Sequence, residues 1–137
     1  MKREVARDKM YKILFQMGFH DDFESRYLTL LDEEDLRGVQ RDYVKESIRG
    51  IIDNLSDIDE IIKEKIIDIE FSRLSTQVLT CLRLGIYEII YNDTIPAKIA
   101  LTESVKVASV YADEKEVSFV NGVLHSVYIE NKEKDDE

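Results

Sequence analysis

From Ser75 to Asn92 the chain reads STQVLTCLRLGIYEIIYN, and Val78, Leu79, Leu82, Leu84, Ile86, Ile89 and Ile90 cover most of a helical circumference. Such a helix has too narrow a polar face to lie on a surface. It has to be central, and the rest of the chain has to supply the elements that surround it.

The flanking sequence supplies helices. Val5, Met10, Ile13, Leu14 and Met17 recur at spacings of three to five before Gly18, and His20, Asp21 and Asp22 read as a turn. Phe23, Tyr27, Leu30 and Leu31 form a second stripe, which ends at the acidic loop Asp32–Asp35. Tyr43, Val44, Ile48, Ile51, Ile52 and Leu55 form a third over Gln40–Leu55. Ser56 is placed to cap a fourth, with Asp59 standing in for the Glu of a capping box and Ile58, Ile61, Ile62 and Ile66 on its apolar face. Ser75 is suited to cap the central helix. Pro96 opens the next one, which carries Ile99, Leu101, Val105, Val107 and Ala108. After an expected loop, Tyr111–Lys115, the last helix uses Val117, Val120, Val123, Leu124 and Val127. The charged end, residues 132–137, reads as a disordered tail. No period-two stretch competes, although the many Ile and Val residues favour strands. The expectation is an all-α fold of about seven helices: one domain over 1–131, with two small packed bundles at about 1–70 and 71–131.

A chain of 137 residues suits one domain that buries roughly two-thirds of its unfolded surface. It has no apolar run of about 18 residues to span a membrane. Its start, MKREVARDKMYK, lacks the apolar core of a secretory signal. The single cysteine, Cys81, forms no internal disulfide and suits a reducing compartment, so the expected location is the cytoplasm.

Net charge is −10, which argues against broad nucleic-acid binding, but the charge is unevenly spread. Residues 1–12 hold five bases against two acids, whereas residues 20–70 hold 16 acids against seven bases. A short basic arm on an acidic body suits one local contact with an anion.

Catalytic patterns are absent. His20 and His125 are far apart, and no HEXXH, CXXC, P-loop or GXGXXG occurs. Cys81 falls in an apolar stripe and reads as a buried thiol, while Glu88 and Glu103 read as salt-bridge or solvated carboxylates. No enzyme, metal or cofactor is expected. Binding has three signals. Arg3 and Arg7 lie four apart on one face, and Arg grips phosphate with a planar fork. Phe119 of FVNG opens the last helix after a polar loop, where an aromatic ring either stacks on an unpaired base or joins the core. Arg83 interrupts an apolar helix and needs an acid such as Glu88 or Glu103, or a ligand. Gly85 and Gly122, each inside a helical stretch, mark close helix crossings or approach of backbone to a ligand.

The motifs VLTCLRLGIYEI (Val78–Ile89), Pro96, IALTES (Ile99–Ser104) and FVNGVL (Phe119–Leu124), with the basic start running into ARDKMYKILFQM (Ala6–Met17), resemble the NusB family of bacterial transcription antitermination factors. The resemblance covers nearly the whole chain. It implies an all-helical fold of two bundles and binding of boxA RNA of ribosomal RNA transcripts together with NusE, a small-subunit ribosomal protein. It also implies action in the RNA polymerase antitermination complex, without catalysis. Carried over by position, it offers Arg3, Arg7, Lys98 and Phe119 as RNA contacts, with Arg83 and Glu103 also at motif positions. Lys115 stands in a loop where the family often has an acid, which favours phosphate. The implied NusE surface comprises Phe15 and an exposed side around Val78, Tyr87 and Glu88. Val78 replaces an acid usual in the family, Glu4 and Val5 dilute the arginine-rich start, and Thr102 and His125 replace a frequent Asn and Asp. Two other readings remain: a helical protein–protein adaptor or homodimer with little RNA binding, which the acidic charge favours, and a NusB-like domain apart from an RNA methyltransferase, for which the chain has no methyltransferase segment.

Overall fold

A computed structural model of the chain describes residues 3–18 and 23–136. Lys2 of the basic arm, the His20–Asp22 turn, the Phe23 side chain and Glu137 lie outside the described residues. Seven α-helices are present among the described residues, with no strand. They are α1 (Arg3–Met17), α2 (Phe23–Glu33), α3 (Gly38–Asp53), α4 (Leu55–Lys65), α5 (Thr76–Ile86), α6 (Ala97–Tyr111) and α7 (Glu114–Asn131).

The α5 helix is central, as its apolar circumference requires. It packs against α1, α4, α6 and α7, and buries Val78, Cys81, Leu82, Leu84 and Ile86. Burial among these groups pushes the Cys81 thiol up to about 12, which leaves it protonated and inert. Gly85 is where α7 crosses most closely: a Cβ there would lie 2.6 Å from Leu124 Cδ1. Gly122 departs from the expected crossing. It is exposed, and a Cβ there would meet nothing within 4 Å.

The central helix continues from α5 into a π-helical turn, Tyr87–Tyr91. The wider turn accommodates one extra residue. Within it Glu88 and Ile89 are both buried, while Tyr87 lies so close to α3 that a Cβ on Gly50 would overlap its ring. Nothing in the apolar spacing signals this turn.

Three helix ends differ from the sequence expectation. The α4 helix starts at Leu55, not after Ser56, and Asn54 sits at its cap with its side chain donating to the Gly50 carbonyl at 2.8 Å. The Tyr111–Lys115 loop shrinks to two residues because Asp113 and Glu116 form a capping box, with Glu116 N–H donating to Asp113 Oδ1 at 2.8 Å. Residues Lys132–Asp136 form a 3-10 turn where a frayed tail was expected. Asp135 accepts hydrogen bonds from the Ala97 and Lys98 N–H groups at 2.6 and 3.1 Å. Pro96 has no side chain able to cap α6, so an acceptor from elsewhere satisfies its open donors.

Candidate nucleic-acid interface

The helical period places Arg7 with Ala6, Met10 and Tyr11 on the inward side of α1, and the π-turn brings Glu88 opposite. Arg7 Nε donates to Glu88 Oε1 at 2.6 Å, and Arg7 Nη1 lies 3.7 Å from Glu103 Oε1. The Tyr43 hydroxyl donates to the other Glu88 oxygen. Arg7 is 4% exposed and Glu88 0%. Burial alone would pull the Arg7 pKa down, but the Glu88, Tyr43 and Glu103 groups more than offset this and hold the guanidinium charged. Burial, and then the Glu88 charge, push Tyr43 well above the ordinary phenol range. This overturns the reading of Arg7 as a surface phosphate ligand, and of Glu88 as part of an exposed partner face. Each is the other's counter-ion, and a buried charge needs one.

Arg3 is different. One turn nearer the helix start it is exposed, and its guanidinium carbon lies 3.9 Å from the Tyr43 ring centroid. It borders a notch of about 370 Å³ with Tyr43, Tyr87, Tyr91, Asp93 and Thr94. Lys98, exposed at the start of α6, follows the Asn92–Pro96 turn that bounds this end of the molecule.

The other end of α5 carries a second group. Ile69, Arg73, Val78, Lys115, Glu116 and Phe119 line a groove of about 230 Å³. Phe119 is half-buried, packing against the core and lining this groove. Arg73 and Lys115 are exposed and form no ion pair with a described residue. Glu116, the acid of the groove, is engaged by Ser75 Oγ at 2.8 Å and by the Asp113 N–H at 3.2 Å. Sequence reasoning passed over Arg73. Its only signal was a lone base in the short link before the Ser75 cap, a link that closes as a 3-10 turn, Phe71–Arg73.

Other candidates separate. Arg83 makes a bidentate pair with Asp59, both contacts at 2.9 Å. Asp59 is thereby committed to α5 and not to a capping box at Ser56. Glu103 faces Arg7 and accepts Lys106 at 3.0 Å, a structural position. The two ends of α5 and its π-turn are separated by about 20 Å, since Val78 to Tyr91 is thirteen steps of about 1.5 Å. Arg3 and Lys98 therefore lie apart from Arg73, Lys115 and Phe119.

The expected partner face is also redistributed. Val78 is 4% exposed and is covered, not presented. Tyr87 is half-buried against α3, remote from Phe15. Phe15 is half-buried beside Tyr11, which stacks on Tyr111 at 4.0 Å between centroids; these three line a groove of about 420 Å³ with Lys12, Gln16 and Gln77.

A profile of the NusB family matches residues 3–128. The chain is 35% identical over 133 residues to a transcription antitermination protein NusB of Listeria welshimeri, covering 96% of this chain and all of that one. Its fold matches the crystal form of T. maritima NusB with a TM-score of 0.89 at 32% identity, over 100% of this chain and 99% of that one. It also matches a chain in a crystal structure of the antitermination factors NusB and NusE in complex with dsRNA, with a TM-score of 0.82 at 25% identity, over 93% and 96% of the two chains.

Proposed function

This chain belongs to the NusB family, and we propose that it binds boxA RNA of ribosomal transcripts together with NusE and serves the RNA polymerase antitermination complex. On this reading it acts in the cytoplasm and without catalysis. The observation that carries the RNA assignment is the groove that Phe119 lines together with two exposed cations, Arg73 and Lys115, that pair with no described residue. An unpaired base gains from stacking on an aromatic face, and neighbouring cations neutralise its phosphates. Arg3 and Lys98, about one central-helix length away, suit further phosphates of an extended strand. Gly122 has open space around it one turn after Phe119, which supports the reading of this glycine as a place of close backbone approach. The Phe15–Tyr11–Tyr111 groove is the surface we assign to NusE.

The test is a titration of labelled boxA RNA with the full chain, alone and with NusE. Phe119→Ala and Arg73→Ala should each weaken binding by about 1–3 kcal/mol. With about four phosphates neutralised on single-stranded RNA, by Arg3, Lys98, Arg73 and Lys115, log K should fall against log salt with a slope near −3. A slope steeper than about −5, or unchanged affinity in both variants, would remove the groove from the interface. A competing reading, a helical adaptor or homodimer with little RNA binding, draws on the −10 net charge and on exposed Val5 (47%) and Val110 (70%) beside the α1–α6 groove. It requires that boxA RNA fail to bind even with NusE present.

A further inference from the structure

We propose that Tyr43 is a positioning residue for RNA binding, holding the Arg3 guanidinium flat so that its N–H edge faces an incoming phosphate. The inference rests on the RNA-binding reading above. Its basis is a chain of contacts running from the core to the arm. Glu88, fully buried, accepts from Arg7 Nε at 2.6 Å and from the Tyr43 hydroxyl. The α3 backbone fixes one end of the Tyr43 side chain and Glu88 fixes the other, and the residue is only 6% exposed. Its ring is therefore a rigid plate. The Arg3 guanidinium carbon lies 3.9 Å from the centre of that plate.

An arginine stacked in this way has its face occupied and its donors free. The five N–H groups of a guanidinium lie in its plane, so stacking on an aromatic leaves them pointing outward along the edge. Arg3 forms no ion pair with a described residue, although Asp42, Glu46 and Asp93 border the same notch. The plate thus keeps the guanidinium from wandering toward these acids and removes much of the rotamer freedom that phosphate binding would otherwise have to quench. Arg7, one turn on, contributes by anchoring Glu88 and not by touching RNA.

The experiment is a double-mutant cycle on the full chain with NusE and a boxA oligonucleotide, with affinity and melting temperature measured for each variant. Tyr43→Leu should weaken binding about fivefold when Arg3 is present and less than about twofold in an Arg3→Ala background. Tyr43→Phe keeps the ring but releases its far end from Glu88, and should lose less affinity than Tyr43→Leu. Equal losses from Tyr43→Leu in both backgrounds would mean a merely structural role, and a Tyr43→Phe loss as large as that of Tyr43→Leu would mean that the ring is not what matters; either overturns the inference. If Tyr43→Leu does not fold, Arg3→Lys decides, because a lysine keeps the charge without a planar fork. It should lose most of the affinity that Arg3→Ala loses, and parental binding by Arg3→Lys overturns the proposal. Normal binding by Arg3→Ala with weakened binding by Phe119→Ala overturns this inference and leaves the RNA-binding reading intact. No loss in any of these variants overturns both.

Discussion

Arg7→Ala would remove the counter-ion of a carboxylate that has no access to water. Glu88 is 0% exposed and Arg7 4%, and their contact is a 2.6 Å charge-assisted hydrogen bond. Truncating the arginine removes that contact while the Tyr43 hydroxyl stays in place on the other Glu88 oxygen. Breaking a buried pair from one side costs about 3–5 kcal/mol, because the surviving charge is stranded. The remaining tyrosine bond argues for the lower end of that range. Against a total stability of about 5–15 kcal/mol this is a large fraction, and it corresponds to a melting temperature lower by roughly 10 °C or more. Urea unfolding followed by far-UV circular dichroism measures it directly. Arg7→Met with Glu88→Leu removes both charges while keeping much of the volume, and should restore most of the loss. An Arg7→Ala midpoint within about 0.5 kcal/mol of the parent would mean that Glu88 is hydrated in solution and that the ion cluster does not hold α1 to the π-turn.

Two glycines separate by the same reasoning. Gly85→Ala places its Cβ about 2.6 Å from the fully buried Leu124 and should destabilise by roughly 1–3 kcal/mol, whereas Gly122→Ala meets nothing within 4 Å and should stabilise α7 by about 0.5–1 kcal/mol. Thermal melts check both, and a destabilised Gly122→Ala would show that this part of α7 is packed. Gly122→Ala titrated with boxA RNA also tests the backbone approach, which predicts weaker binding by a more stable protein. High pH probes three phenols, two buried and one half-buried. Tyr11, Tyr43 and Tyr111 are raised chiefly by burial, so above the unfolded value near 10 the unfolded chain releases protons that the folded chain retains. Their contribution is complete below pH 10 and lost as pH rises beyond it, by up to about 1.4 kcal/mol per pH unit for each group. Tyr43→Phe should make the alkaline decline shallower, and an unchanged pH profile would count against burial of this hydroxyl.

Local spacing determined a good deal about this chain. The apolar period of Val78–Ile90 demanded a helix enclosed by others, and α5 is that helix. Gly18, Ser75 and Pro96 mark helix ends because a stop, an oxygen acceptor at N-cap and a missing N–H act within a few residues. The inward stripe of α7 was legible in the same way: Val120, Val123 and Val127 recur at helical spacing and are buried. Charged side chains were another matter. Arg3 and Arg7 lie four apart with the same local pattern, yet one is exposed and the other sealed, because the acid that fixes Arg7 is 81 positions away. Arg83 likewise takes a bidentate partner that its own helix does not supply, Asp59, on a helix that packs beside α5. Gly85 and Gly122 look equivalent in sequence, and only the crossing of α5 with α7 tells them apart. Helix formation depends on neighbours a few residues away, which any single sequence displays. Burial of a charge or loss of a Cβ depends on what the rest of the chain brings opposite, and that is decided only when the helices pack.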